Sequence, residues 1–498
     1  MSRSHTFYWH DYETFGVTAR RDRPSQFAGV RTDEDLNEIG EPMMIYCRPS
    51  VDLLPHPEAC LLTGITPQDC LRQGLPEHEF CDAIEKQLSA PNTIGVGYNT
   101  LKFDDEVTRH MLWRNLADPY AREWQNGCGR WDLLPLVRMA WALEDSPLVW
   151  PVDDQGKPSF KLELLAKANG LTHDMAHDAL SDVRATIALA RLIKQHHPQL
   201  WEISLALRDK RYAAEVAGIN DVRKAWRPFM HFSGLYGVDS GCMAAVYPLM
   251  MHPSNKNEVI LWNLAHDPAE LLDLTPAEIR ARLFVRKDEL PEGVSRLPMG
   301  SVAVNKVPML LAGDNLRLVS AKVRQRFGLD FSQVQARAEK IRSWGRLLDD
   351  TLAEVYTRQE QPVVDVDEDL YGGFVSNDDR RSLMTIQALA CDGLMDHLSD
   401  RLPSFRDPRL HKLLMRFRAR NFEHTLSEEE AQDWAAFVLA RLTDPSVAAG
   451  GLTLEVFEAL LAELGKQEKY TDARSQAILA ELSQYATSLR ARWVPPSA

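Results

Sequence analysis

The sequence predicts an α/β domain over residues 1–197, a β-rich domain over 198–348 and an α-helical domain over 349–498. Three observations predict this. At 498 residues the chain exceeds what one hydrophobic core supports, so two to four domains are expected. Strand-like segments rich in aromatic and β-branched residues alternate with helical periodicities in the first part. Short β-rich pieces crowd the middle, and helical patterns dominate from there to the end.

In chain order, TFYWHDYET, SQFAGVRT, PMMIYCRP and TIGVGYN read as strands, and helical patterns follow Asp104, Trp131 and Ser159. The next helix is expected from Asp178 to about His197. Leu180, Val183, Ile187 and Ala190 give it an apolar stripe, and Pro198, which has no N–H to donate, marks its end. FMHFSGLYGV, CMAAVYPLMM, EVILWNL and SVAVNKVPMLL supply the β-rich middle. The acidic stretch QPVVDVDEDLYGG reads as a linker within the last part, and only the terminal VPPSA looks frayed.

Composition excludes several classes. With 45% hydrophobic and 26% charged residues, the chain has ample core and no sign of global disorder. No apolar run approaches a membrane span and the first residues lack a signal-peptide core, so a cytoplasmic location is expected. Seven cysteines, at 47, 60, 70, 81, 128, 242 and 391, show no CxxC or Cys/His ligand spacing, which predicts reduced thiols. The net charge of −14 argues against a nucleic-acid binder taken as a sum, but the charges are segregated. Arg317 to Arg346 holds eight Lys/Arg against two acids, and Asp349 to Asp369 holds eight acids against one Arg. Either run alone is an ordinary solvated face; together they permit a basic track on an acidic protein.

The chemistry lies in four carboxylates and a histidine. Asp11 and Glu13 fall in a predicted strand, where a spacing of two puts both on one face. Like charges held together are costly without a cation between them, and hard oxygen ligands suit Mg²⁺ or Mn²⁺. Two such ions stabilise both the attacking and the leaving oxygens of a phosphoryl transfer. Asp104, with Asp105 beside it, stands at a predicted helix start, where an aspartate is also a common cap. His177 precedes Asp182 by five residues at the start of another helix. Asp178, one turn before Asp182, is a rival ligand on spacing alone. Metal-dependent hydrolysis of phosphodiesters is the reaction class that this set suits.

HDYETFG, YNTLKFDDEVTRHML and AHDALSDVRATIALA, in that order, resemble the three motifs of the DEDDh exonuclease group, and the match is closest to the bacterial exodeoxyribonuclease I family. QFAGVRTD, GEPMMIYCRP, LTGITPQ, RWDLLPLVR, PSFKLELLAKANG, LYGGF and FRARNF extend the resemblance over nearly the whole chain. It implies a ribonuclease-H-like exonuclease domain, an SH3-like domain and a C-terminal helical domain. It also implies processive 3′→5′ degradation of single-stranded DNA to 5′-mononucleotides, in repair and recombination, with two Mg²⁺ ions that Mn²⁺ can replace. The family pattern selects Asp104 over Asp105 and Asp182 over Asp178. Asp11, Glu13 and Asp182 are then the metal ligands, Asp104 supports the second ion, and His177 is the general base. Its ordinary pKa of about 6.5 suits that work near neutral pH.

A strand-end exonuclease also needs cations for phosphates and aromatic faces for bases. Arg109, Tyr120, Trp124, Trp131 and Arg138 interleave both types, and the resemblance places Arg109, Tyr120, Trp124 and Arg138, along with Glu13, against the substrate. Lys161 stands where the family can carry arginine, an exchange that keeps a phosphate contact but not bidentate geometry. Asn305 and Lys306, and Arg418 and Arg420 in FRARNF, are further candidates. The resemblance implies a monomer that docks on the acidic tail of single-stranded DNA-binding protein. Glu144 and Ile203 give this chain acidic and apolar residues where a receptor for such a tail wants basic or polar ones. The alternative readings are a 3′→5′ exoribonuclease using the same five residues and a catalytically inactive single-strand clamp.

Overall fold

The computed structural model describes residues 4–143, 147–171, 178–219, 226–286, 289–357, 364–398, 403–448 and 450–495. The chain forms two compact units: Met1–Gly129 with His173–Ile187 and Pro362–Ala498, and Arg130–Thr172 with Ala188–Gln361. The C-terminal helices thus belong with the first strands and not with the residues that precede them.

In the first unit, β1 (Thr6–Thr14), β2 (Pro24–Thr32), β3 (Met43–Tyr46) and β4 (Thr93–Gly97) lie side by side in the order β3-β2-β1-β4. β1 pairs antiparallel with β2, from Phe7 opposite Thr32 to Glu13 opposite Gln26, and parallel with β4. From Phe7 to His10 every β1 side chain is buried; beyond that Asp11 and Glu13 are half-buried while Tyr12 and Thr14 are buried. Period-2 alternation therefore begins where the carboxylates begin. The register slips between Glu13 and Thr14, a device that ends pairing next to functional sites.

The helices that bear on β1 are Asp104–Arg114 and the N-terminal part of Ala179–His196. Farther along, Pro408–Asn421, Glu428–Thr443, Leu454–Leu464 and Ala473–Trp493 pack into cores shared with the N-terminal part of the chain. One such core joins Phe15, Cys60, Leu61 and Cys70 to Trp434, Phe457, Leu482 and Tyr485; a second joins Trp113 and Leu116 to Leu370, Leu410 and Phe417.

β5 (Gly129–Asp132) begins where the two units meet in sequence. The second unit is built on β6 (Phe229–Phe232), β7 (Met243–Met251), β8 (Glu258–Asn263), β9 (Met299–Ala303) and β10 (Met309–Leu311), an antiparallel sheet in the order β10-β6-β7-β8-β9. Pro248 has no N–H for the β7–β8 ladder, and the register slips between Pro248 and Met250.

Three readings of the sequence need correction. The acidic stretch taken as a linker is pinned where it is described. Asp365 and Asp367 are held by Arg416, and Asp367 also by Arg23 (3.1 Å) and Arg420. Arg418, which is buried, and Arg420, whose side chain is 5% exposed, both taken as candidate DNA contacts, are bonded internally, Arg418 to Glu430 (2.6 Å) and Arg420 to Asp52 (2.7 Å). Trp131 is a core residue, with no exposure, its indole N–H on Ser204 (2.9 Å) and its ring edge-on to Trp201. All seven cysteines are unpaired, as expected, and five of them are buried.

Candidate active site

The site assembles at the end of β1. Gln26, opposite Glu13 in the ladder, accepts the backbone N–H of Ala179 on its side-chain oxygen at 3.3 Å, which fixes the start of the Ala179–His196 helix beside β1. Asp182 lies in the first turn of that helix. Asp104, first residue of its own helix and almost fully buried, accepts the backbone N–H of Tyr12 at 3.1 Å, between the two β1 carboxylates. The Tyr12 and Thr108 hydroxyls, 3.0 Å apart, tie the same helix to β1 a second time.

One oxygen from each of Asp11, Glu13 and Asp182 lies within 4.8 Å of the other two. Oxygens on opposite sides of a hard cation, each at about 2.1 Å, stand about 4.2 Å apart, so the three carboxylates span a coordination shell. Their electrostatics say the same. Burial first, then the charges of Asp104, Glu13 and Asp182, push the Asp11 carboxyl well above the usual carboxylate range. Burial, followed by Asp182, Asp104 and Asp178, raises Glu13 from 4.5 to about 8. A group of carboxylates that resist ionising together is what an inserted cation relieves.

The rivals that spacing left open have other partners. Asp105 is buried in an ion pair with Arg122 at 2.7 Å. Asp178 caps its helix by accepting the backbone N–H of Ser181 at 3.2 Å. His10, next to Asp11, is buried against Phe27, and burial, aided by Arg122, lowers its pKa to about 4, which keeps the ring neutral. His177 lies outside the described residues.

The substrate candidates divide sharply. Trp124 is 66% exposed. Arg109 is only 6% exposed, and its guanidinium bonds Glu123 (2.7 and 3.0 Å), Glu106 (2.7 Å) and the Tyr371 hydroxyl (3.2 Å) while lying over the half-buried Tyr120 ring at 5.4 Å. In the second unit, Arg138 lies 5.9 Å from the Phe160 ring centroid, and a Cβ at Gly234 would sit 3.1 Å from its guanidinium carbon, so a side chain there would crowd it. Lys161 is exposed just before the Leu162–Ala168 helix, and Asn305 and Lys306 are exposed between β9 and β10. The Asn305 carbonyl accepts from Arg130 at 3.0 Å.

Tyr371 and Phe374 lie in LYGGF, a segment that carries part of the family resemblance but no candidate contact. The structure sets the Tyr371 hydroxyl 2.7 Å from Glu106 and leaves Phe374 97% exposed. Two glycines flanked by aromatics inside an acidic stretch are the signal that could have marked them.

Three family models match in succession: "Exonuclease" over residues 8–190, "Exonuclease I SH3-like domain" over 208–358 and "Exonuclease I C-terminal domain" over 364–489. The chain is 38% identical over 493 residues to an exodeoxyribonuclease I of Haemophilus influenzae, covering 98% of this chain and 100% of that protein. It is 40% identical over 435 residues to that of Escherichia coli, covering 86% and 88%. Among solved structures, an exonuclease I from Methylocaldum szegediense superposes with a TM-score of 0.90 at 42% identity, over 97% of this chain and 99% of that one. E. coli exonuclease I in complex with a dA16 oligonucleotide superposes at 0.88 and 37%, over 97% and 100%. The expected succession of α/β exonuclease, SH3-like and helical C-terminal parts is therefore the fold, and the exonuclease family carries a dependence on divalent metal for which the carboxylate cluster gives a place.

Proposed function

The chain belongs to the exodeoxyribonuclease I family, and from that premise we infer that it is a 3′→5′ exonuclease hydrolysing single-stranded DNA to 5′-mononucleotides. The observation that carries the reading is the group of Asp11, Glu13 and Asp182, backed by Asp104. An inactive clamp would have no use for this like-charge arrangement.

In this reading Asp11, Glu13 and Asp182 hold Mg²⁺ in a two-ion arrangement in which Mn²⁺ can substitute. When bound, such ions neutralise charge building on the scissile phosphate and make a water acidic enough to supply a nucleophile at neutral pH. Asp104 keeps Asp11 and Glu13 in place through the Tyr12 backbone between them, and adds negative charge that favours a cation there. His177 accepts the proton of the attacking water, and Glu13 also borders the terminal nucleotide. Trp124, Tyr371 and Phe374 offer aromatic faces to bases. Tyr120 does so in part, and Arg138, Lys161, Asn305 and Lys306 meet the backbone. Arg109, whose guanidinium is shared among two glutamates and a tyrosine, contributes by holding Tyr120 and Tyr371.

A monomer acting in DNA repair in the cytoplasm completes the proposal; no helix among the described residues is long and apolar enough to cross a membrane. The acidic tail of single-stranded DNA-binding protein is the proposed protein partner. Ile203 is buried and offers it no face, and Glu144 lies outside the described residues.

The test is a time course on an oligothymidylate labelled at its 5′ end, with Mg²⁺ and with chelator. A ladder shrinking one nucleotide at a time, absent with chelator and much slower on the matching RNA, is expected. Internal cuts, or equal rates on RNA, would replace the reading.

A further inference from the structure

We propose that Arg409 is a positioning residue for substrate binding: it clamps the Asp369–Phe374 turn so that Tyr371 and Phe374 stand ready for a DNA strand. The inference rests on the reading, given above, that these two aromatics face substrate.

The turn leaves the second hydrophobic core at Leu370 and passes through Gly372 and Gly373 to Phe374. Between Leu370 in the core and Val375 packed against it, Gly372, Gly373 and the exposed Phe374 ring have no packing of their own. Arg409 supplies the hold. One terminal nitrogen donates to the Asp369 carbonyl and the other to the Gly373 carbonyl, at 3.0 Å, so a single planar group bridges both ends. The fork is itself aimed. Asp407 takes its Nε and Nη2 at 3.0 and 2.7 Å, and the guanidinium lies over the Trp113 ring at 5.0 Å.

Trp113 belongs to the helix whose first residue is Asp104, and its indole N–H donates to the Val366 carbonyl at 2.9 Å. Glu106 and Arg109, on the same helix, bond the Tyr371 hydroxyl. The helix that brings Asp104 to the metal site therefore also fixes the turn, directly through Tyr371 and indirectly through Arg409. Two donors in a rigid fork are needed to reach two carbonyls. A lysine ammonium keeps the charge and the stem but reaches one at best. Gly372 fits the same plan, since a Cβ there would run into the Asp369 carboxylate.

Arg409→Gln, Arg409→Lys, Phe374→Ala and the Arg409→Gln/Phe374→Ala pair are compared by steady-state kinetics on long oligothymidylate, after circular dichroism shows each to be folded. If one stacked base is lost, Phe374→Ala raises KM roughly 5- to 100-fold with kcat little changed. Both Arg409 variants should raise KM as well, and the pair should fall short of the product of the two single effects, which an arginine acting apart from Phe374 would not produce. Should the glutamine variant not fold, the lysine variant, which keeps the stem over Trp113, carries the test. A raised KM in Phe374→Ala with wild-type KM in a folded Arg409 variant overturns the role of Arg409 and spares the aromatic reading. An unchanged KM in Phe374→Ala overturns the reading of the turn and the inference with it.

Discussion

Two groups of carboxylates, each at least half-buried, sit in the same unit and behave oppositely. At the end of β1, Asp11, Glu13, Asp104 and Asp182 face one another, and burial and mutual repulsion push Asp11 and Glu13 upward. Between the C-terminal helices and the N-terminal part, Asp52, Asp365 and Asp367 meet Arg23, Arg416 and Arg420. Burial would raise the Asp367 carboxyl too, but Arg420, Arg416 and Arg23 outweigh it and hold it well below the usual range. The second group carries its own cations and is finished as folded; the first needs cations from outside. That difference separates a joint from the proposed active site more sharply than burial or acidity does.

The largest effect expected is catalytic. Asp11→Ala or Asp182→Ala should lower kcat on single-stranded DNA at least about 10⁴-fold, since several kcal/mol of transition-state charge stabilisation goes with the cation. Single-strand binding in Ca²⁺ should stay near wild type. A variant retaining more than a per cent of turnover would show that the group by β1 is not the catalytic one.

His177→Ala should cost roughly 10²–10⁴ in kcat, the usual contribution of a positioned acid or base, and flatten the acidic limb of the rate profile. Metal affinity, read by calorimetry, should be kept. Its collapse would add His177 to the ligands and redraw the group.

The same isosteric change should have opposite signs in the two groups. Asp367→Asn leaves buried arginines short of a counter-charge and should destabilise by about 3–5 kcal/mol in denaturant melts. Asp11→Asn, in chelator, removes a like charge and should stabilise or leave stability unchanged. Two losses of equal size would end the distinction.

Stability should also follow pH in opposite senses. Asp365 and Asp367 have folded pKa values below their unfolded ones, so their contribution is present above the ordinary carboxylate range and is lost as pH falls through the folded values. Glu13 is raised from 4.5 to about 8, so in chelator its contribution is full below about 4.5 and is lost as pH rises through about 8. Mg²⁺ should remove the second dependence and leave the first. Thermal melts from below the ordinary carboxylate range up to about pH 8, with and without metal, would show a single shared trend if the comparison is false.

The smallest effect concerns the strand. Trp124→Ala should cost roughly 1–3 kcal/mol of single-strand affinity if a base stacks there. An unchanged dissociation constant in a folded variant would remove Trp124 from the binding face.

The legible part of this protein is what local pattern encodes. Aromatic and β-branched runs marked β1 to β4 and the strands of the second sheet, and a spacing of two placed Asp11 and Glu13 on one face, because side-chain direction in a strand depends only on sequence separation. The helix begun by Ala179 and stopped before Pro198 was legible for the same reason. Spacing could not choose between Asp104 and Asp105, or between Asp178 and Asp182, since each pair lies within one turn. Resemblance made that choice in the sequence, and the structure shows where the rivals go, to Arg122 and to a helix cap. Nor could sequence show that Arg420 closes onto Asp52, 368 positions away, or that Arg409 grips the turn below Phe374. An ion pair or a clamp is decided by which charges the packed chain brings within about 3 Å, and side chains hundreds of residues apart become neighbours only when the hydrophobic cores that join them have formed.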